Sequence, residues 1–157
     1  MTPATIQKRD LLIDKLEVEL LKQEQVACPL RHIFTPGLYV REIFMPAGVM
    51  MASSVHKFKH PFVISQGRFK VYLGEESFEL AAPHTGITEA GTRRVFYILE
   101  DTILSTFHVT DTVDVEELEK ELLVDYKNEL VDQDVRDEAT RECRSQNMYI
   151  RENLLDD

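Results

Sequence analysis

Tryptophan is missing from this chain of 157 residues, and cysteine nearly so: Cys28 and Cys143 are the only two. Two thiols cannot build a disulfide framework, and they make no zinc site by themselves. No base lies near Cys28 in sequence, which argues against a nucleophilic thiol. No apolar run approaches the roughly 18 residues that a membrane-spanning helix needs. The opening MTPATIQKRD is polar and offers no signal-peptide core, so a cytosol-like compartment is expected. Glycine-rich phosphate loops, G-x-S-x-G and H-E-x-x-H are all lacking. There is no internal repeat and no low-complexity tract.

A basic excess is lacking too. The net charge is −10. Residues 1–110 carry 12 acidic and 12 basic side chains, whereas residues 111–157 carry 16 acidic and 6 basic. The acidic tail therefore holds the whole imbalance. This argues against nucleic acid and against an anionic membrane surface as partners. It leaves room for a small basic pocket in the neutral part. A hydrophobic share of 43% with 29% charged residues is the mix of one globular domain.

Three segments separate by pattern: an N-terminal helical arm (1–28), a β domain (29–112) and an acidic C-terminal helical region (113–157). In the arm, residues 4–24 predict a helix. Leu12, Leu16 and Leu20 form a stripe widened by Ile13 and Leu21, and Lys15 can pair with Glu19 on the exposed side. In the second segment, LYVREIFM, VMMASSV, FVIS, RFKVYL, SFELAA, RRVFYIL and TILSTFHV read as short strands. Turns are expected at Pro36-Gly37, Gly67, Gly74 and Gly91. Many short strands without intervening helix indicate an antiparallel sandwich or barrel. In RFKVYL, Phe69, Val71 and Leu73 alternate with Arg68, Lys70 and Tyr72, so one face is wet. Residues 113–130 predict a second helix, with Asp114 as N-cap and Val115, Leu118, Leu122, Tyr126 and Leu130 at helical spacing. Residues 131–157 fit either a third helix or a frayed tail.

The densest cluster of chemistry-bearing residues is His56-Lys57-Phe58-Lys59-His60. Two histidines four apart on an extended segment share one wall, as a metal or proton-transfer site needs. A metal wants at least a third donor. His84, His108 and Glu89 are the reserves. By themselves His84 reads as a loop residue, His108 as a core or edge residue, and His32 as a spacer between helix and β domain. Glu100-Asp101 reads as an acidic turn accepting backbone N–H bonds. Arg93 and Arg94 are neighbours on an extended segment, so only one of them can face inward. The planar fork of Arg94 suits a carboxylate or phosphate.

The stretch from Gly48 to Gly67, followed by Glu89-Ala90-Gly91-Thr92-Arg93-Arg94, resembles the two motifs of the cupin superfamily. The likeness covers about residues 36–110. It implies a mainly β antiparallel jelly-roll barrel, here with flanking N- and C-terminal helices. Laid on the motifs, Ser54 stands at the first histidine, His56 at the second, His60 at the glutamate and Gly67 at the closing glycine. Glu89 stands at the proline, Gly91 matches, and Arg94 replaces the last histidine. Two of the four usual ligand positions are thus lost. No cofactor is firmly implied, and a divalent metal on His56 and His60 is the lesser alternative. The longer string from ACPLRHIFTPGLYVREIFMPAG to GTRRVFYILEDTILSTFHVTD resembles small cupin-like proteins of tailed bacteriophages, which implies a host bacterial cytoplasm or virion setting. The expectation is a non-enzymatic module. It would be a homo-oligomer partnered by phage structural or host proteins, binding a small ligand through Ser54, His56, His60 and Arg94. The alternative is a metal-dependent oxygenase or isomerase.

Overall fold

The fold was obtained as a computed structural model, which describes residues 2–145. The Thr2 hydroxyl accepts the Thr5 N–H at 3.2 Å and Pro3 opens the first turn, so helix α1 spans Pro3–Leu21. Seven strands follow: β1 (Leu30–Thr35), β2 (Leu38–Met45), β3 (Met50–Ala52), β4 (His60–Leu73), β5 (Glu76–Ala81), β6 (His84–Thr88) and β7 (Val95–Val109). Helices α2 (Val115–Leu122) and α3 (Gln133–Ser145) close the described chain. All strand pairs are antiparallel. The mainly β antiparallel jelly-roll with flanking helices is what the sequence predicts. Among the described residues no helix is long and apolar enough to cross a membrane.

Two long strands make one sheet serve as two walls. The first half of β4 pairs with β6 and its second half with β5, while β7 runs beside both. The end of β7 pairs with β2 and its start with β3. The walls meet where the β4–β7 register slips, between Ile64 and Phe69. Gly67 sits there at φ +90°, and a Cβ would collide with the Asp101 carbonyl and with Thr102. The expected turn at Gly67 is therefore a bulge inside one strand: the glycine bends the chain without ending the ladder. Likewise Glu100-Asp101 is no turn but the bend of β7. Asp101 still accepts a backbone N–H, that of Ala47, at 2.9 Å.

Between the walls lie Met45, Phe62, Ile64, Phe69, Val71, Phe96, Ile98 and Leu104. Phe69 and Val71 are buried as the alternation predicts. Burying each such side chain is worth about 1.5–3 kcal/mol before entropy is counted.

The helices depart most from expectation. The leucine stripe of α1 is only partly its buried face: Ile13 is buried and Leu16, Leu20 and Leu21 are half-buried, but Leu12 is 56% exposed, and Arg9, Asp14 and Glu17 are buried instead. Glu19 pairs with Lys22 at 2.9 Å rather than with Lys15. The cause is Arg93, 2% exposed, which donates to Asp14 at 2.9 Å and Glu17 at 2.6 Å. Burial works against its charge, but the bonds to both carboxylates outweigh that and raise its pKa. Tyr126 stacks on the guanidinium at 4.3 Å and donates to Asp14 at 2.8 Å, while Asn128 donates to the Asp14 carbonyl at 3.0 Å.

That cover explains the second departure. Helix α2 begins as predicted, Asp114 accepting the Glu117 N–H at 3.0 Å. It stops at Leu122, eight residues before the predicted end at residue 130. Leu123 turns extended and bridges to His56, freeing Tyr126 and Asn128 to reach Arg93 and α1. Of the C-terminal region, α3 is helical and residues 146–157 lie outside the described residues.

Candidate metal and ligand site

Three segments bring three imidazoles together. His56 lies in the link between β3 and β4, pinned from both sides. Lys57 N–H donates to Leu122 O at 2.8 Å, and Gly91 N–H donates to His56 O at 3.0 Å. His60 opens β4 opposite Thr88, and His108 lies near the end of β7 opposite Tyr39. Their ring centroids are 4.4 Å (His56–His60), 4.6 Å (His60–His108) and 5.5 Å (His56–His108) apart. One nitrogen from each lies within 4.8 Å of the others. The sequence pairs His56 with His60 on a straight extended wall. The structure brings them together by a bend at Lys57 and Phe58 instead.

Their surroundings favour neutral rings. Burial is the first cause in each case. It holds His56 at about 3, with the neighbouring histidines, Arg41 and Arg94 pushing the same way. His108 sits at about 4, burial being joined by His60 and Arg41. His60 is lowered by burial and by Arg94, against a bond to Phe58 that raises it. Neutral rings keep the lone pairs that a metal takes.

The tautomers follow from the partners. His60 Nδ1 lies 3.0 Å from the Phe58 carbonyl, an acceptor only, so Nδ1 carries the proton. Its Nε2 is then a bare lone pair, buried and without a hydrogen-bond partner. His108 Nε2 lies 2.9 Å from the Thr106 hydroxyl, which itself donates to the Arg41 carbonyl at 3.5 Å. His108 therefore donates from Nε2 and keeps its lone pair on Nδ1. Rings oriented by backbone or hydroxyl partners are the usual support of a metal ligand set. The donor set fits a borderline first-row ion, for which three imidazoles with open positions are a recurrent arrangement.

Beside His56 and His60 opens a cavity of about 280 Å³, lined also by Arg41, Arg94, Ser54, Thr106 and apolar side chains. Arg94 is the inward member of its pair. It stacks on Phe96 at 5.0 Å, touches Thr88 Oγ1 at 3.4 Å, and leaves its Nε buried without a partner. Burial lowers its pKa to about 10, so it remains a cation at neutral pH. Its backbone is fixed by Ser53, whose hydroxyl accepts the Arg94 N–H at 2.9 Å. Ser54 stands at the cavity wall, exposed.

Of the remaining candidates, His108 joins the histidine cluster and the others do not. His84 opens β6 rather than lying in a loop, and its ring packs near Phe62 at 5.8 Å. Glu89 is exposed and pairs with Lys59 at 3.4 Å. His32 lies in β1, and its Nδ1 is 2.6 Å from Tyr39 Oη. Cys28 is buried in the core. Sequence reasoning missed the Arg93 cluster, although Asp10, Asp14 and Glu17 already mark an acidic stripe at i, i+4, i+7.

No protein-family model matches the sequence, and no curated protein does. Among solved structures, the chain is similar to a cupin-2 domain protein of Shewanella frigidimarina, at 8% identity and a TM-score of 0.45 over 60% of this chain and 92% of that one. It is similar to a cupin superfamily protein of Desulfitobacterium hafniense, at 8% identity and a TM-score of 0.46 over 57% and 83%. A third is the Cnp3 cupin domain of Schizosaccharomyces pombe, at 22% identity and a TM-score of 0.45 over 62% and 72%. These structural neighbours are cupin-domain proteins.

Proposed function

We propose that this protein binds a divalent first-row metal on His56, His60 and His108 and presents it to a small ligand in the adjoining cavity. The observation that carries the reading is the buried, unpartnered Nε2 of His60. A desolvated lone pair with no donor costs about 1–3 kcal/mol, and an ion at that place removes the cost. Three protein ligands leave positions for a ligand or water, the pattern of an open site rather than a closed structural one. That opening toward a cavity also favours the second reading, a metal-dependent enzyme, since a bound ion there would polarise a ligand oxygen.

Metal analysis of protein purified without chelator tests the proposal. About one equivalent of zinc, iron, nickel or manganese is expected, falling at least tenfold in His60→Ala and in His108→Ala. Metal-free wild-type protein that takes up no zinc at micromolar concentration would refute it.

Self-association is part of the same proposal. Leu11 and Leu12 are adjacent and exposed on α1, apolar surface that a second copy would cover. Light scattering on an eluting peak should give at least twice the 18.2 kDa chain mass. A monomer at 100 μM would remove this part and leave the metal site untouched. The phage setting rests on the sequence resemblance.

A further inference from the structure

The charge of the site is one-sided. The three imidazoles are neutral, a bound divalent ion would add two positive charges, and Arg94 adds another. Among the described residues Glu17 is the one carboxylate lining the cavity, and it is engaged by Arg93 at 2.6 Å and Arg136 at 3.3 Å. Arg94 pairs with no carboxylate among the described residues, and its Nε–H is buried without an acceptor. Arg94 lines the cavity, so an acceptor from outside the chain can serve its guanidinium there. Arg41, Ser54 and Thr106 line the cavity too, and Leu30, Ile43, Met45 and Phe96 give it an apolar side. A cavity of about 280 Å³ has room for a small organic guest.

We infer that the cavity takes a small aliphatic monocarboxylate, its carboxylate in the guanidinium fork of Arg94 and its short body against Ile43, Met45 and Phe96. A planar carboxylate matches the fork in two bonds. A guest with one charged end suits a cavity with one apolar side better than a phosphate, whose oxygens point in every direction. The inference rests on the metal reading for the other end of the site. By linkage, a carboxylate beside the ion tightens the metal, and the metal tightens the carboxylate.

Thermal unfolding of the full chain tests this, in chelator-treated and in zinc-loaded form. The probes are butyrate, 1-butanol and inorganic phosphate, at equal concentration and ionic strength. Butyrate should raise the midpoint, and butanol and phosphate should not. Zinc should improve the apparent butyrate affinity at least about fivefold. Arg94→Gln should weaken butyrate at least tenfold while still binding zinc. Butyrate that matches butanol or phosphate in zinc-binding protein overturns the inference and leaves the metal reading standing. A butyrate effect in protein that binds no zinc upholds the carboxylate site and overturns the metal reading. Unchanged butyrate affinity in folded Arg94→Gln overturns the assignment to Arg94. Should that variant not fold, the wild-type comparison of butyrate with butanol decides alone.

Discussion

Arg93→Ala is expected to lower stability by about 3–5 kcal/mol, the usual cost of removing one partner from a buried ion cluster. The variant leaves Asp14 and Glu17 buried beneath α1 without the cation that both carboxylates hold at under 3 Å. Tyr126 loses the guanidinium it stacks on, and the segment after α2 loses its anchor. For a chain of this length the midpoint of thermal unfolding should fall by about 6–20 °C. Repacking separates a lost cluster from a lost side chain. Arg93→Met combined with Asp14→Leu and Glu17→Met should recover most of the loss, because a buried ion cluster is rarely better than apolar packing of similar volume. A shift under 2 °C in Arg93→Ala would show that α1 is held by other contacts.

That same cluster shows where the sequence stops being legible. Alternation at Phe69 and Val71, the run LYVREIFM and the cap at Asp114 are local signals, and the strands and α2 start where they predict. Longer-range facts were hidden. Gly67 carries the same letter whether the chain reverses or merely bulges, and only the opposing Asp101 and Thr102 decide for a bulge. On α1, hydrophobic periodicity pointed to Leu12, yet one buried arginine 79 positions from Asp14 turned the acidic side inward. At the site, His56 and His60 were legible because they are near in sequence. His108 was only a reserve, since its approach depends on the pairing of β7 with β2 and β4. The inward turn of Arg94 could not be chosen from a pair of adjacent arginines. It was set once Arg93 was taken by the helix.

Acid should destabilise the metal-free protein well above the pH at which carboxylates titrate. In the unfolded chain a histidine takes its proton near 6.5, whereas His56 at about 3 and His108 at about 4 refuse it when folded. Between those values the unfolded state binds more protons, so stability rises with pH across this window. The contribution is fully present above about pH 6.5 and drains away as pH falls toward 4 and then 3. Each histidine supplies about 1.4 kcal/mol per pH unit, about 2.7 kcal/mol for the two together, and His60 is shifted in the same direction. Arg41 and Arg94 stay charged throughout and keep opposing a third and fourth positive charge. From pH 6.5 to 5 the loss should be about 3 kcal/mol, because an unfolded histidine is already half protonated at pH 6.5, and that is a large part of the stability of an ordinary domain. Urea unfolding of chelator-treated protein at pH 7, 6 and 5 measures it. The double variant His56→Gln/His108→Gln, which has nothing left to protonate at those two positions, should lose most of the slope. A wild-type curve that is flat over this range, or a variant curve as steep as the wild type, would mean that these rings accept protons in the folded state. The neutral donor set on which the metal reading stands would then be gone.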